Sequence, residues 1–185
     1  MTRQNRRPVI AVSGITGSGA SMAVAYLVRE YGFTPLHMAT PAERMLQAGF
    51  GIDPAIFTTD AQREPLEGLP EGSTPIGLRN GLLHAWGRST VHGSLWAKAW
   101  GLMVDASASE RIVVKDADYP SEARAVRDRG GVIWRIHRPG LEPTRESDQY
   151  RLRIEPDRTI INRGVDAPTL YRLLDVALAD LERSL

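Results

Sequence analysis

The sequence predicts an α/β fold, three layers deep, with a mostly parallel central sheet between helices. Three observations carry this reading. Apolar segments of strand length alternate with segments of helical period, the pattern of parallel strands joined by helical crossovers. A glycine-rich run, Gly14-Ile15-Thr16-Gly17-Ser18-Gly19-Ala20-Ser21, separates the first apolar segment from the first helical one. A closing amphipathic helix is predicted from Ala167 to Leu185, with Leu170, Leu173, Leu174, Ala177, Leu178 and Leu181 at helical spacing.

The elements follow in order. Pro8 to Ser13 is the first strand, and Met22 to Arg29 lies in the first helix. Gly32 to Met38 is a turn into a short second strand. Pro41 to Phe50 is a helix with proline in its first turn. Residues 51 to 77, rich in Pro, Gly and acids, read as an irregular excursion. Leu78 to Trp86 and Ser94 to Val104 are helices, and Arg111 to Asp116 is an apolar strand that ends in a carboxylate. Pro120 to Arg129 is a helix closed by Gly130-Gly131. Val132 to His137 is a strand, and Thr159 to Asn162 is a short last one. Arg138 to Asp157 is polar without a clear period. Within it, Arg151-Leu152-Arg153-Ile154 alternates as a half-solvated edge strand would, with a mobile lid carrying arginines as the alternative.

Composition narrows the chemistry. A net charge of +1 argues against a bulk electrostatic role on nucleic acid or an acidic membrane. There is no cysteine, so disulfides and thiolate metal sites are excluded. His37, His84, His92 and His137 lack metal-ligand spacing. The basic start, Met1 to Pro8, leads into too short an apolar run for a signal peptide, and no segment reaches membrane-spanning length. A cytoplasmic protein is the expectation.

The glycine run is a phosphate-binding loop of the form G-x-x-x-x-G-K-[ST] in which Ala20 stands at the lysine position. Glycines let several backbone N–H groups point into one concavity, and the helix that starts near Ser21 adds its positive end. Gly14, Thr16, Gly17, Ser18, Gly19, Ala20 and Ser21 are therefore the candidate residues for binding ATP. The Ser21 hydroxyl would hold a magnesium ion, with Asp116 behind it. Without the lysine, transfer is expected to be slow unless an arginine supplies the charge.

The segment Val113 to Ala123, Val-Val-Lys-Asp-Ala-Asp-Tyr-Pro-Ser-Glu-Ala, resembles a motif of the phage-type deoxynucleoside monophosphate kinases, an apolar strand running into Asp-x-Arg-[Phe/Tyr]-Pro-x-Glu-Ala. The resemblance continues through Gly130 to Gly140, Asp157 to Asn162, Leu170-Tyr171, Gly32-Phe33, Met38 to Pro41, Leu82 to Gly87 and Trp96. It implies a P-loop nucleotide-kinase-like fold as a single domain over residues 1–185, with the excursion near 51–77 and a lid within 138–157. It also implies transfer of the ATP γ-phosphoryl group to a deoxynucleoside monophosphate, in a phage-infected host or from a prophage. Two alternatives are a kinase acting on a hydroxymethylated base in phage DNA, and an inactive nucleotide-binding protein. A small-molecule nucleotide partner is expected, with no membrane partner, a possible DNA partner under the first alternative, and a possible homodimer.

Four basic positions of that family are lost here: Ala20 in the loop, Glu43 in the second helix, Ile76 after Thr74-Pro75, and Asp118 in Asp-x-Arg. Asp116, Arg79 and Arg138 are the candidate catalytic residues. Arg44, His84, Arg88 and Asp118 are the candidates for holding substrate. Carboxylates at Glu43 and Asp118 are expected to disfavour a doubly charged acceptor unless Arg44 or Arg79 restores the charge. Glu122 reads as a residue that caps or salt-bridges its helix, and Trp86, Trp96 and Trp100 as core or lid packing residues.

Overall fold

The computed structural model describes residues 8–115, 117–164 and 166–184. The described residues fall into two compact units, one within 8–38 and 104–184 and the other 39–103.

The first unit is built on a five-stranded sheet: β1 (Val9–Ser13), β2 (Thr34–Pro35), β3 (Ile112–Val114), β4 (Val132–His137) and β5 (Arg158–Ile161), in the order β2-β3-β1-β4-β5. Every pairing is parallel, with Val9 opposite Ile112, Ser13 opposite Arg135 and His137 opposite Ile161. The apolar runs decide this arrangement, because an inner parallel strand is covered on both faces. Ile112, Val113 and Val114 are all fully buried, as the sequence predicts for a central strand.

Side chains alternate across a strand. Ile10, Val12, Val113, Trp134, Ile136 and Ile160 join one core with the apolar stripes of α1 (Ala20–Tyr31) and α7 (Ala167–Ser184). Val9, Ala11, Ile112, Val114 and Ile133 occupy the alternate positions and are buried too. A helix here labelled α5 (Pro120–Arg127) packs on β1 and β4. The Glu122 carboxylate caps it by accepting the N–H groups of Asp118 at 2.7 Å and Tyr119 at 3.1 Å.

In the second unit, α2 (Thr40–Phe50) begins with Pro41 in its first turn, as expected. The excursion 51–77 is more ordered than its composition suggests. Two 3₁₀ turns, Pro54–Thr58 and Asp60–Arg63, precede α3 (Pro75–Asn80), and Leu46, Ile52 and Phe57 form a small core. The helix expected over Leu78 to Trp86 is instead divided. α3 stops at Asn80, and a π-helical segment runs from Gly81 to Val91. Packing explains why. The buried Trp96 of α4 (Leu95–Ala106) donates its indole N–H to the Leu83 carbonyl at 2.9 Å. A Cβ on Gly87 would lie 2.3 Å from that indole nitrogen. The widened turn of a π-helix accommodates this side chain. Trp96 and Trp100 are core residues, whereas Trp86 is partly exposed.

A further correction concerns the polar stretch after β4. The alternation at Arg151-Leu152-Arg153-Ile154 does not make an edge strand. Arg151 and Leu152 form the last turn of a short helix, α6 (Glu146–Leu152). No helix among the described residues is long and apolar enough to cross a membrane.

Candidate phosphate-binding site

In an all-parallel sheet the loops after each strand's C-terminal end collect along one edge, where ligands of such folds bind. In the first unit those loops start at Gly14 after β1, Lys115 after β3, Arg138 after β4 and Asn162 after β5.

The loop after β1 is tightly wound. The Ser18 N–H returns to the Ile15 carbonyl at 3.0 Å, and Gly17 and Gly19 adopt φ of +86° and +102°. These are left-handed conformations that favour glycine. Gly14 is required for a different reason, since a Cβ there would lie 2.3 Å from Ser18 Oγ and 2.8 Å from the Ile136 carbonyl. Asn162, just past β5, donates its side-chain amide to the Ser18 carbonyl at 2.8 Å and fixes the loop from the side. Gly19→Ala combines a positive φ with a Cβ only 2.6 Å from Asn162 Nδ2. It is expected to cost about 1–3 kcal/mol. Thermal unfolding would show this as a clear fall in melting temperature. Gly49→Ala is the control, because a Cβ at this helical position meets nothing within 4 Å. An equal fall in both variants would contradict the account.

Ser21 is exposed at the second residue of α1, whereas Ala20 is buried against the core. The hydroxyls of Ser13 and Ser18, at the start and in the middle of the loop, are buried without a hydrogen-bond partner among the described residues. Buried hydroxyls are ordinarily satisfied. The left-handed glycines and the N-terminus of α1, with Ser21 exposed there, are the features of this loop that fit an anionic ligand such as a polyphosphate.

A carboxylate that the sequence reading did not single out joins the loop to α6. Asp148 is fully buried. Its Oδ1 accepts the Thr16 N–H at 3.1 Å and the Thr16 hydroxyl at 3.4 Å, and its Oδ2 accepts the N–H groups of Thr144 and Arg145, each at 3.2 Å. Arg151 Nη1 adds an ion pair at 3.1 Å. Burial alone would push this carboxyl up, but the three backbone N–H groups and the Arg151 guanidinium outweigh it and hold Asp148 below the usual carboxylate range. Arg135, on β4, anchors the other end of α6 by donating to the carbonyls of Arg151, at 3.1 Å, and Ile154. Burial pulls the Arg135 guanidinium down from its ordinary range.

The other candidates fall into two groups. In the first unit, the Asp118 carboxylate takes a two-pronged ion pair from Arg151, Nε to Oδ1 at 2.6 Å and Nη2 to Oδ2 at 3.0 Å. Arg138 is exposed after β4, and its guanidinium lies so close to Gly164 that a Cβ there would be 2.8 Å from Nη2. Asp116 lies outside the described residues. In the second unit, Arg79 Nη1 pairs with Glu43 Oε1 at 3.0 Å, and its guanidinium stands 4.8 Å from the centre of the Phe57 ring. Arg44 and His84 are exposed there, and Arg88 is half-buried. Both acids at positions where the resemblance implies a base thus carry an arginine.

Helix α6 has Arg145 at its N-cap, not Ser, Thr, Asp or Asn, so no cap residue in the sequence points to Asp148. Asn162 is visible only as a polar residue ending an apolar run.

No family model matches the chain. Over 149 residues it is 29% identical to a protein of Acanthamoeba polyphaga mimivirus named "Putative deoxynucleotide monophosphate kinase", a match covering 72% of this chain and 75% of that protein. Among solved structures, dephospho-CoA kinase from Campylobacter jejuni aligns with a TM-score of 0.52 at 12% identity, covering 95% of this chain and 98% of that one. A gluconokinase from Sinorhizobium meliloti gives a TM-score of 0.50 at 19% identity, with 97% and 95% covered. At such identities the likeness to solved structures establishes the fold alone. The chain has the α/β fold of the P-loop kinases.

Proposed function

We propose that this chain is a phosphotransferase of the nucleotide-kinase type, moving the γ-phosphoryl group of ATP onto a deoxynucleoside monophosphate. The observation that carries the reading is the loop itself. Its left-handed glycines and the exposed Ser21 at the start of α1, directly after a central strand, support its reading as a phosphate cradle. The mimivirus relative supports the choice of acceptor class.

ATP supplies the group transferred, and magnesium offsets the charge of its phosphates. The chain's own contribution is positioning and charge. The N–H groups of the loop and of the first turn of α1 orient the donor phosphates. Ser21 and Asp116 are the residues assigned to the metal. Arg79 and Arg138 are assigned to stabilising the group in transfer, and Arg44, His84, Arg88 and Asp118 to the acceptor. The pairing of Glu43 with Arg79 and of Asp118 with Arg151 cancels the repulsion that bare carboxylates would exert on a phosphate. This favours a monophosphate over an acceptor without one, such as a modified base within DNA.

The test is direct. The purified chain is titrated with ATP and magnesium, then incubated with each deoxynucleoside monophosphate and, separately, with duplex DNA carrying hydroxymethylated bases. ATP-dependent appearance of a deoxynucleoside diphosphate is the expected result. Labelling of the DNA alone would replace the acceptor, and absence of ATP binding would overturn the reading.

A further inference from the structure

We infer that the outer stripe of α7 and the open edge of β5 form a docking surface for a second copy of this chain, paired antiparallel across a two-fold axis. The surface belongs to the fold of the first unit and is independent of what the glycine loop binds. β5 is the last strand in the sheet order, so its outer edge pairs with no strand among the described residues. Such an edge is a ready template for another chain, and soluble proteins commonly blunt it with charge, proline or a covering element. Here apolar surface flanks it. A concavity of about 450 Å³ is lined by β5 and by Thr169, Leu173 and Val176 of α7. Ile161, Leu173 and Val176 are 46%, 40% and 57% exposed.

The sequence gives α7 two faces. Leu170, Leu174, Ala177 and Leu178 are buried in the core shared with the sheet. Asp166, just before the helix, then Thr169, Leu173, Val176, Asp180 and Arg183 follow one another at intervals of three and four residues. This is the heptad spacing of a helix–helix seam. The stripe is apolar in its middle and charged towards its ends. With Arg172 beside it, the charges read acid, base, acid, base from Asp166 to Arg183. Reversed, they read base, acid, base, acid. An antiparallel copy with Leu173 opposite the partner's Val176 therefore sets Asp166 against the partner's Arg183 and Arg172 near the partner's Asp180, in both directions at once. A parallel copy would set like charges together. Self-complementarity is what a two-fold interface between identical chains requires, and it selects a second copy over an unrelated protein.

The strand agrees with the helix. β5 and α7 line the same hollow, so one axis through it turns both elements antiparallel to their copies. The two β5 edges then close each other, and two five-stranded sheets become one. The charges on this surface can re-pair readily. Asp180 accepts from Arg158 at 2.8 Å and from Arg183, and all three side chains are at least one-third exposed. Exposed ion pairs of this kind contribute little to the stability of a single chain. β5 also leads directly into Asn162, whose amide holds the Ser18 carbonyl at 2.8 Å. Pairing of the two edges thus steadies the strand behind the glycine loop.

Sedimentation equilibrium of the full chain gives its mass over a range of concentrations, with melting temperature measured at each. A dimer is expected for the wild type in the micromolar range, with a melting temperature that rises with concentration. Val176→Glu is expected to weaken dimerisation by roughly tenfold or more, because the interface would bury an unpaired charge. Its melting temperature in dilute solution should match the wild type, since Val176 is open to solvent in the single chain. Arg172→Glu should weaken dimerisation as well, and adding Asp180→Lys should recover most of that loss by exchanging the two charges across the axis. The chain has no cysteine, so single cysteines report the geometry. Val176→Cys, near the axis, should give a disulfide-linked dimer on oxidation, whereas Arg183→Cys, far from its own copy, should not. Cross-linking at both positions would mean a parallel pair and overturn the arrangement. A dimer that survives Val176→Glu undiminished would overturn the surface. A wild type that stays monomeric at every concentration would overturn the inference and leave the groove to a different partner.

Discussion

Asp148→Ala is expected to lower stability by about 3 kcal/mol, as loss of one partner from a buried ionic cluster does. In a chain of this size that corresponds to a fall of roughly 6–12 °C in melting temperature. The carboxylate is fully buried and joins three parts of the first unit: the loop at Thr16, the start of α6 at Thr144 and Arg145, and Arg151. Alanine would leave those donors without their acceptor and would remove one of the carboxylates that Arg151 pairs with. Asp148→Asn keeps an oxygen for the backbone N–H groups but loses the charge, so its fall should be smaller. The pH dependence has a definite sign. The Asp148 carboxyl is held below its ordinary value of 3.8. Its contribution is therefore complete above that value and is lost as pH falls through the lower, folded-state value. The gap in melting temperature between wild type and Asp148→Asn should stay constant from neutral pH to about pH 4 and close only in stronger acid. Closure near pH 6 would show that Asp148 is not the buried anion described.

Ala20→Lys is expected to raise ATP affinity, turnover or both by tenfold or more, since a charge-assisted hydrogen bond contributes about 1.5–3 kcal/mol. Everything else in the loop is in place, from the left-handed glycines to the exposed serine that follows. Ala20 itself is covered by the core that joins α1 to the sheet. A lysine must therefore lay its methylenes along apolar surface and carry its ammonium out to the loop. That geometry predicts a small loss of melting temperature with ATP absent and a net gain with ATP present. Calorimetric titration and a thermal shift with and without ATP measure the two effects separately. A variant that folds and gains neither affinity nor turnover would show that this loop is not where the phosphates sit.

The legible parts of the fold were those written in local pattern. Val9 to Val12 and Ile112 to Val114 are apolar because both sheet faces are covered, and the run itself announces the strand. The glycine loop was legible because left-handed turns and close approach leave few other residues possible. What escaped was set by contacts distant in sequence. The π-helical segment follows from the fit of Trp96 against Gly87, and a 3.6-residue period over Leu78 to Trp86 gives no hint of it. The alternation of Arg151 and Arg153 with Leu152 and Ile154 suggests an edge strand, whereas Arg151 and Leu152 end helix α6, whose fixture, Asp148, meets a loop 132 residues away. The partners of Glu43 and Asp118 were equally hidden, since pairs 36 and 33 residues apart are decided by the fold. Reading those two acids one at a time suggested lost charge, whereas the structure gives each of them an arginine.

The strand that carries the glycine loop is made before either of its neighbours in the sheet. β1 lies in the middle of the sheet, with β3 on one side and β4 on the other, and its first pairing joins Val9 to Ile112. During synthesis the whole second unit must leave the ribosome before any neighbour for β1 exists. Until then an apolar segment with unpaired backbone groups on both edges is open to mispairing or aggregation. Closing so long a loop is also slow, because its entropy is lost before the strand contacts form. Folding of the sheet should therefore be rate-limited by the β1–β3 pairing. That step sets the glycine loop beside the loop after β3, and the β1–β4 pairing then brings it into register with the loop after β4.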